Sequence, residues 1–185
     1  MRGLAVFNNL SLDGYIADES GDMSWAHKQD PEWLAFTSEN ASGEAELVFG
    51  RVTYDLMAGW WPTPQARESL PDVARRMNAL PKVVFSRTLE KASWQNTRLV
   101  KGDLPAEMRR LKAECGPDMV IMGSGSIVSQ LTDAGLVDEY QVVVHGLVLG
   151  RGKKMFDVRE KTPLALKKSR VFGNGNVVLW YEPAG

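Results

Sequence analysis

The stretch MVIMGSGSIVSQLTDA, Met119 to Ala134, carries the fold in miniature: four apolar residues, a turn of alternating glycine and serine, then Ile127, Val128 and Leu131 at helical spacing. A short apolar run closed by glycine reads as a buried strand, and the spacing after it suits a helix packed on a sheet. The same unit stands upstream, where Ala45 to Phe49 is an apolar run closed by Gly50 and Val52 to Ala58 keeps helical spacing before Gly59. Further out, Leu4 to Leu10 predicts a strand that ends at Ser11-Leu12-Asp13-Gly14. Asp30 before Pro31 predicts an N-cap and a helix to about Asn40, with Trp33, Leu34 and Phe36 facing inward.

Trp61 to Pro71 reads as a polar, proline-containing connection, Asp72 to Leu80 as helix and Lys82 to Phe85 as strand. Leu104 to Cys115 predicts a helix capped by Asp103 and stopped by Gly116 and Pro117. Beyond Gly135, Glu139 to Val144, Leu164 to Phe172 and Val177 to Tyr181 read as strands, the last two joined across Gly173 to Asn176. Strands alternating with helices and ending in a hairpin predict an α/β fold: a mixed, mostly parallel sheet, helices on both faces, and a C-terminal antiparallel hairpin. No repeat or long linker divides the 185 residues, so one domain over 1–185 is expected.

Composition narrows the function. Lys and Arg number 22 against 23 Asp and Glu, so no cationic field exists to hold nucleic acid or an anionic membrane surface. One cysteine, Cys115, and two histidines, His27 and His145, cannot by themselves supply the ligands of an ordinary zinc site or an internal disulfide, so no metal is expected. Cys115, late in an amphipathic helix, reads as a buried apolar thiol, and both histidines as structural or surface residues. Without a long apolar window or a secretory layout at Met1 to Phe7, a cytoplasmic setting is expected.

Three strand ends carry phosphate-friendly chemistry: Gly50-Arg51-Val52-Thr53, Ser86-Arg87-Thr88 and Gly123-Ser124-Gly125-Ser126. In an open α/β sheet ligands gather at the carboxyl ends of parallel strands, where helix N-termini present amides to an anion. Glycines admit a close backbone, Thr53 and Ser126 can donate hydrogen bonds, and Arg51 and Arg87 bring permanent charge suited to a phosphorylated ribose, which favours NADP over NAD. No G-x-G-x-x-G follows the first strand, and Gly150-Arg151-Gly152-Lys153 continues with Lys154, so neither a Rossmann fingerprint nor a Walker A loop is present.

The strings SLDGYIA (Ser11 to Ala17), LVFGRVTYDLM (Leu47 to Met57), KVVFSRTL (Lys82 to Leu89), VIMGSGSIVSQL (Val120 to Leu131) and DEYQVVVHGLVLGRGKKMFD (Asp138 to Asp157) resemble the dihydrofolate reductase-like superfamily. Within it the chain is most similar to the reductase domain of the bifunctional riboflavin-biosynthesis deaminase-reductase. That resemblance implies NADPH as cofactor, with Gly50, Arg51 and Thr53 toward its phosphates, Ser86 and Arg87 flanking the adenosine 2′-phosphate, and Gly123, Ser124, Gly125, Ser126 and Ile127 around the pyrophosphate. Dihydrofolate reductases place two glycines joined by a cis peptide at the last corner; here Ser124 takes the second place.

Hydride transfer to a C=N or carbonyl group needs positioning and a proton source. Asp13 matches the S-x-D-G string of the resembled branch, and Glu32 lies near the acidic position of folate-type enzymes; these are the candidate catalytic carboxylates. Trp25, Trp60 and Trp61 offer flat surfaces for a heterocyclic substrate. The H-x-E and P-C-x-x-C pattern of the zinc deaminase does not occur in these 185 residues. The expected activity is an NADPH-dependent reductase of a small heterocycle or phosphoribosylamino-pyrimidine, such as 5-amino-6-(5-phosphoribosylamino)uracil. A pterin or dihydrofolate reductase activity and a non-catalytic NADP-binding module are the alternatives, and the resemblance also implies a homodimer with the late strands as interface elements.

Overall fold

A computed structural model describes residues 1–27, 30–40 and 43–185. The chain runs β1 (Leu4–Ser11), β2 (Tyr15–Ala17), a 3-10 turn (Ser24–Ala26), α1 (Pro31–Asn40), β3 (Glu46–Gly50), α2 (Arg51–Trp60), α3 (Pro64–Ser69), α4 (Pro71–Ala79), β4 (Lys82–Phe85) and β5 (Thr97–Val100). It continues through α5 (Leu104–Ala113), β6 (Met119–Met122), α6 (Gly125–Asp133), β7 (Glu139–His145), β8 (Lys153–Lys154), β9 (Leu164–Val171) and β10 (Val177–Pro183). Eight strands form one sheet in the order β5-β4-β3-β6-β1-β7-β10-β9. All pairings from β5 to β7 are parallel, and β10 is antiparallel to both of its neighbours. The α/β architecture with its closing hairpin is thus as the apolar periodicity predicts.

Period-two alternation decides which face each side chain serves. On one face Leu4, Val6 and Leu10 of β1 and Met119 and Ile121 of β6 pack with Met108 and Leu111 of α5 and Val128 and Leu131 of α6. On the other face there are two separate clusters. Leu47, Phe49 and Val84 lie with Tyr54, Met77 and Trp94 under α2 and α4, whereas Val143 and Val178 lie with Trp33, Phe36 and Phe172 under α1 and the hairpin. Between those clusters Ala5, Phe7 and Asn9 of β1 and Val120 and Met122 of β6 are only half-buried, although both strands are central. A less covered strip therefore runs along the middle of the sheet on the α1–α2 side.

Several local details depart from the sequence reading. The expected connection Trp61 to Pro71 contains α3, whose Thr63 Oγ1 accepts the Ala66 N–H (3.2 Å) and whose first residue is Pro64. Helix α5 ends at Ala113, so Cys115 lies outside it and is exposed, not buried. Strands β2, β5 and β8 were not foreseen: each is short, and β8 consists of two lysines. His27 is exposed and His145 is buried.

Candidate functional site

The carboxyl ends of the parallel strands share one rim. Gly50 pairs with Phe85, so the Gly50 corner and Ser86 leave neighbouring strands side by side, and β6 lies on the other side of β3. Adjacent strands are about 4.8 Å apart, so the three corners fall within roughly 10 Å of one another.

Two of them are bonded together. The Gly50 N–H donates to Ser124 Oγ (2.8 Å), and the Ser124 N–H donates to Thr53 Oγ1 (3.1 Å). Gly123 and Ser124 both adopt left-handed backbone, at φ 61 and φ 55, and this pair swings the chain from β6 into α6. A Cβ on Gly123 would stand 2.8 Å from Thr53 Oγ1, so only glycine fits against that side chain. The described residues include no cis peptide bond, and the turn expected from the glycine pair of dihydrofolate reductases is made here by two left-handed residues.

Asn8 completes the corner, a residue that the sequence reading did not single out. Its Nδ2 donates to the Gly123 carbonyl (3.0 Å), and its Oδ1 accepts the Gly123 N–H (2.6 Å). The carboxamide thereby takes the place of the next rung between β1 and β6, whose ladder stops at Phe7–Met122. The available signal was the polar pair Asn8-Asn9 inside an otherwise apolar strand.

The chemistry of this rim suits an anion. Neither α2 nor α6 has a side-chain N-cap or an acidic residue in its first turn, whereas Asp103 caps α5 and Asp30 accepts the Trp33 N–H in α1. Helix N-termini without a carboxylate of their own keep their positive end for an external one. Arg51 opens α2, half-exposed, in an i,i+4 pair with Asp55 at 3.2 Å; such exposed pairs are weak and readily exchanged. Ser86 Oγ accepts the N–H groups of Leu89 (2.9 Å) and Thr88 (3.2 Å), and this turn leaves Arg87 exposed beside it. Gly125 abuts the Lys154 carbonyl, leaving no space for a side chain there, while Ser126 is exposed and the Ile127 side chain is part of the core.

A second group lies farther along the same rim. His145, at the end of β7, is buried, with Nε2 3.0 Å from Asn9 Oδ1. The Trp25 and Trp33 rings meet it edge-on at 5.2 and 6.1 Å. Trp25 Nε1 and Asn176 Nδ2 are buried donors with no hydrogen-bond partner among the described residues. Glu32 stands at the start of α1, with Oε1 3.3 Å from an Arg170 guanidinium nitrogen and Oε2 accepting the Gly173 N–H (3.4 Å).

Asp13 lies in the turn after β1. Ser11 Oγ donates to its Oδ1 (2.6 Å), and the N–H groups of Leu149 (3.1 Å) and Gly150 (2.7 Å) donate to Oδ1 and Oδ2. The Ser11 hydroxyl first, then the Gly150 and Leu149 amides, hold this carboxyl below the usual carboxylate range. Trp60 and Trp61 are not brought to the rim. Helix α2 starts there and runs away from it, so they lie about 14 Å off at a rise of 1.5 Å per residue. Trp61 packs into the α2–α4 cluster with Nε1 3.1 Å from Met57 Sδ, and Trp60 is partly exposed. A depression of about 340 Å³, bounded in part by Ala45, Pro81 and Pro117, lies at the opposite, amino-terminal end of the strands, away from all of these groups.

Among the described residues, no helix is long and apolar enough to cross a membrane, and no cluster of three or more His, Cys, Asp or Glu could hold a metal ion.

A mostly parallel sheet with a terminal hairpin and a glycine corner bonded across two strand ends define a dihydrofolate reductase-like α/β fold. The RibD C-terminal domain family matches residues 3–178, and the chain belongs to that family of reductase domains. Protein YyaP of Bacillus subtilis strain 168 is 28% identical over 174 residues, covering 94% of this chain and 90% of YyaP. A protein named for riboflavin biosynthesis from Shewanella sp. PV-4 superposes with a TM-score of 0.76 at 24% identity, with 99% of each chain covered. A deaminase/5-amino-6-(5-phosphoribosylamino)uracil reductase from Thermotoga maritima superposes with a TM-score of 0.68 at 17% identity, covering 99% of this chain and 57% of that one.

Proposed function

We propose that the chain is an NADPH-dependent reductase of a small heterocyclic or phosphoribosylamino-pyrimidine substrate. The observation that carries this reading is the bonding of Gly50 and Thr53 to Ser124 across two strand ends, which makes one anion cradle out of two helix N-termini. In this reading the pyrophosphate of NADPH rests against Gly123 to Ile127 and Thr53, and Arg51 and Arg87 face its phosphates, Arg87 with Ser86 at the 2′-phosphate. The bound cofactor supplies a hydride.

The half-buried strip of Ala5, Phe7 and Met122 lies between this cradle and the Trp25–His145 group, and in this reading the substrate lies over it. In this reading the Trp25 indole, which meets His145 edge-on, is the flat surface offered to a heterocyclic substrate ring. Of the carboxylates at this rim, Glu32 is the more exposed to exchange, since its contacts at 3.3 and 3.4 Å are long. We assign Glu32 to the delivery of the proton that accompanies the hydride, directly or through water. A homodimer belongs to the same proposal; the exposed edge of β9 is the late-strand surface available for it, and sedimentation tests it.

The activity is tested by following NADPH oxidation with 5-amino-6-(5-phosphoribosylamino)uracil and a panel of pterins and related heterocycles. Saturable oxidation with one of them is expected. Tight NADPH binding with no turnover across the panel would replace the enzyme by a cofactor-binding module.

A further inference from the structure

Asn8 and Asn9 are consecutive polar residues inside β1, and the pleat sends them to opposite faces of the sheet. Asn8 is buried and binds Gly123. Asn9 shares its face with Ala5 and Phe7 and is, like them, only half-buried, so it belongs to the strip left between the two clusters on the α1–α2 side.

The hydrogen bond of the Asn9 side chain runs sideways to the next strand. In the parallel register Asn9 lies opposite Val143 and Ser11 opposite His145, which places Asn9 and His145 on one face of neighbouring strands, diagonal to each other. Asn9 Oδ1 stands 3.0 Å from His145 Nε2. With the carboxamide oxygen at the ring, Nε2–H donates and the Nδ2 end is turned away from it. His145 is 1% exposed and is met edge-on by the Trp25 and Trp33 rings, so the imidazole is fixed in place. The Nδ2 group has no hydrogen-bond partner among the described residues, and it presents its two N–H donors on the strip.

An unattached surface asparagine offers a ligand either end of its amide. A bond to a buried ring removes that choice: the oxygen is held by His145, and only the donor end is left. A ligand acceptor then meets a donor pair already in position, whereas a ligand donor brings N–H against N–H and strips both of water.

We propose that Asn9 is a specificity-determining residue that takes a ring carbonyl of an oxo-substituted heterocycle through its Nδ2 donors, and that His145 is a positioning residue that holds the carboxamide in this orientation. This rests on the reductase reading above and narrows its substrate to rings that turn an oxo group, not an amino group, toward the strip.

Two probes separate these classes: 5-aminouracil, and 2,4,5-triaminopyrimidine, in which amines replace both ring carbonyls. Each is titrated calorimetrically into the NADP⁺-loaded protein. The wild type should bind the oxo ring about tenfold tighter or more. Asn9→Ala should weaken 5-aminouracil about tenfold and leave NADP⁺ affinity unchanged. Asn9→Asp keeps an oxygen toward His145 and exchanges the donor end for an acceptor, so it should reverse the preference between the probes. His145→Phe keeps a ring against the two tryptophans but releases the carboxamide; it should weaken 5-aminouracil about fivefold alone and no further in the Asn9→Ala background. Both Asn9→Ala and His145→Phe should raise KM for an oxo substrate more than they lower kcat.

Equal affinity of the wild type for the two probes, unaltered 5-aminouracil affinity in both Asn9 variants, or no binding of 5-aminouracil to the wild type overturns the proposal. A loss of NADP⁺ affinity in place of probe affinity does so too, because it puts Asn9 against the cofactor. If His145→Phe weakens the probe as much in the Asn9→Ala background as alone, its role is structural and the positioning assignment falls. Should NADP⁺ itself fail to bind the wild type, the reductase reading falls first and this proposal with it.

Discussion

The Asn8 carboxamide grips both backbone groups of Gly123, accepting its N–H at 2.6 Å and donating to its carbonyl at 3.0 Å. A side chain thus stands in for a strand where β6 ends, and it lets the chain turn into α6 without leaving buried amide groups unpaired. The cradle at the rim depends on this substitution of side chain for ladder, because the next residue, Ser124, is the one that binds Gly50 and Thr53.

Asn8→Ala removes both bonds and strands the Gly123 amide groups. A loss of about 2 kcal/mol in unfolding free energy is expected. Saturating NADPH should recover less of the thermal midpoint in the variant than in the wild type, because the turn proposed to receive the pyrophosphate is loosened. Thermal unfolding with and without cofactor measures both effects.

Gly123→Ala should destabilise by several kcal/mol, since it combines left-handed backbone with a Cβ placed 2.8 and 2.9 Å from Thr53 Oγ1 and Cγ2. In the Thr53→Ala background both of those atoms are gone. The double-mutant cycle should then show a coupling of about 1 kcal/mol or more, favouring the pair. Additive effects of the two changes would mean that the contact is not what requires glycine.

Lys82 is 1% exposed, and its Nζ donates to the carbonyls of Leu80 (2.6 Å), Asn78 (3.2 Å) and Gln95 (3.3 Å) while lying 4.3 Å from the Trp94 ring centre. Burial pushes its amine down to about 8. An unfolded lysine keeps its proton to about 10.4, so between these values the unfolded chain holds more protons than the folded one and stability rises with pH. The wild type should therefore gain stability relative to Lys82→Met as pH is raised from about 8 to about 10, as read by denaturant unfolding. A difference that stays flat over that range would contradict the assignment.

What was legible in the sequence was local. Apolar runs closed by Gly50 and Gly123 mark strand ends because the strand, the glycine and the helix after it lie within a dozen residues. Asn8 escaped notice because its partner is 115 residues away, and no local pattern distinguishes it from a polar interruption. Helix α3 did carry its signal, with Thr63 before Pro64, but six residues among prolines read more easily as a connection. Trp60 and Trp61 looked close to the Gly50 corner in sequence; the direction of α2 carries them away from it. Asp13 shows no local hint of its partners, Leu149 and Gly150, which only the parallel pairing of β1 with β7 brings alongside.

The central claim is that the strand-end corners hold one NADPH, with Arg87 at its 2′-phosphate. Calorimetric titration of NADPH and NADH into the wild type and Arg87→Ala tests it most directly. NADPH should bind the wild type at least tenfold tighter than NADH, and Arg87→Ala should erase most of that preference while leaving NADH affinity as it was, a loss of about 1.5–3 kcal/mol for a charge-assisted contact. Equal affinities for the two nucleotides in the wild type, unchanged by removing Arg87, would contradict the account.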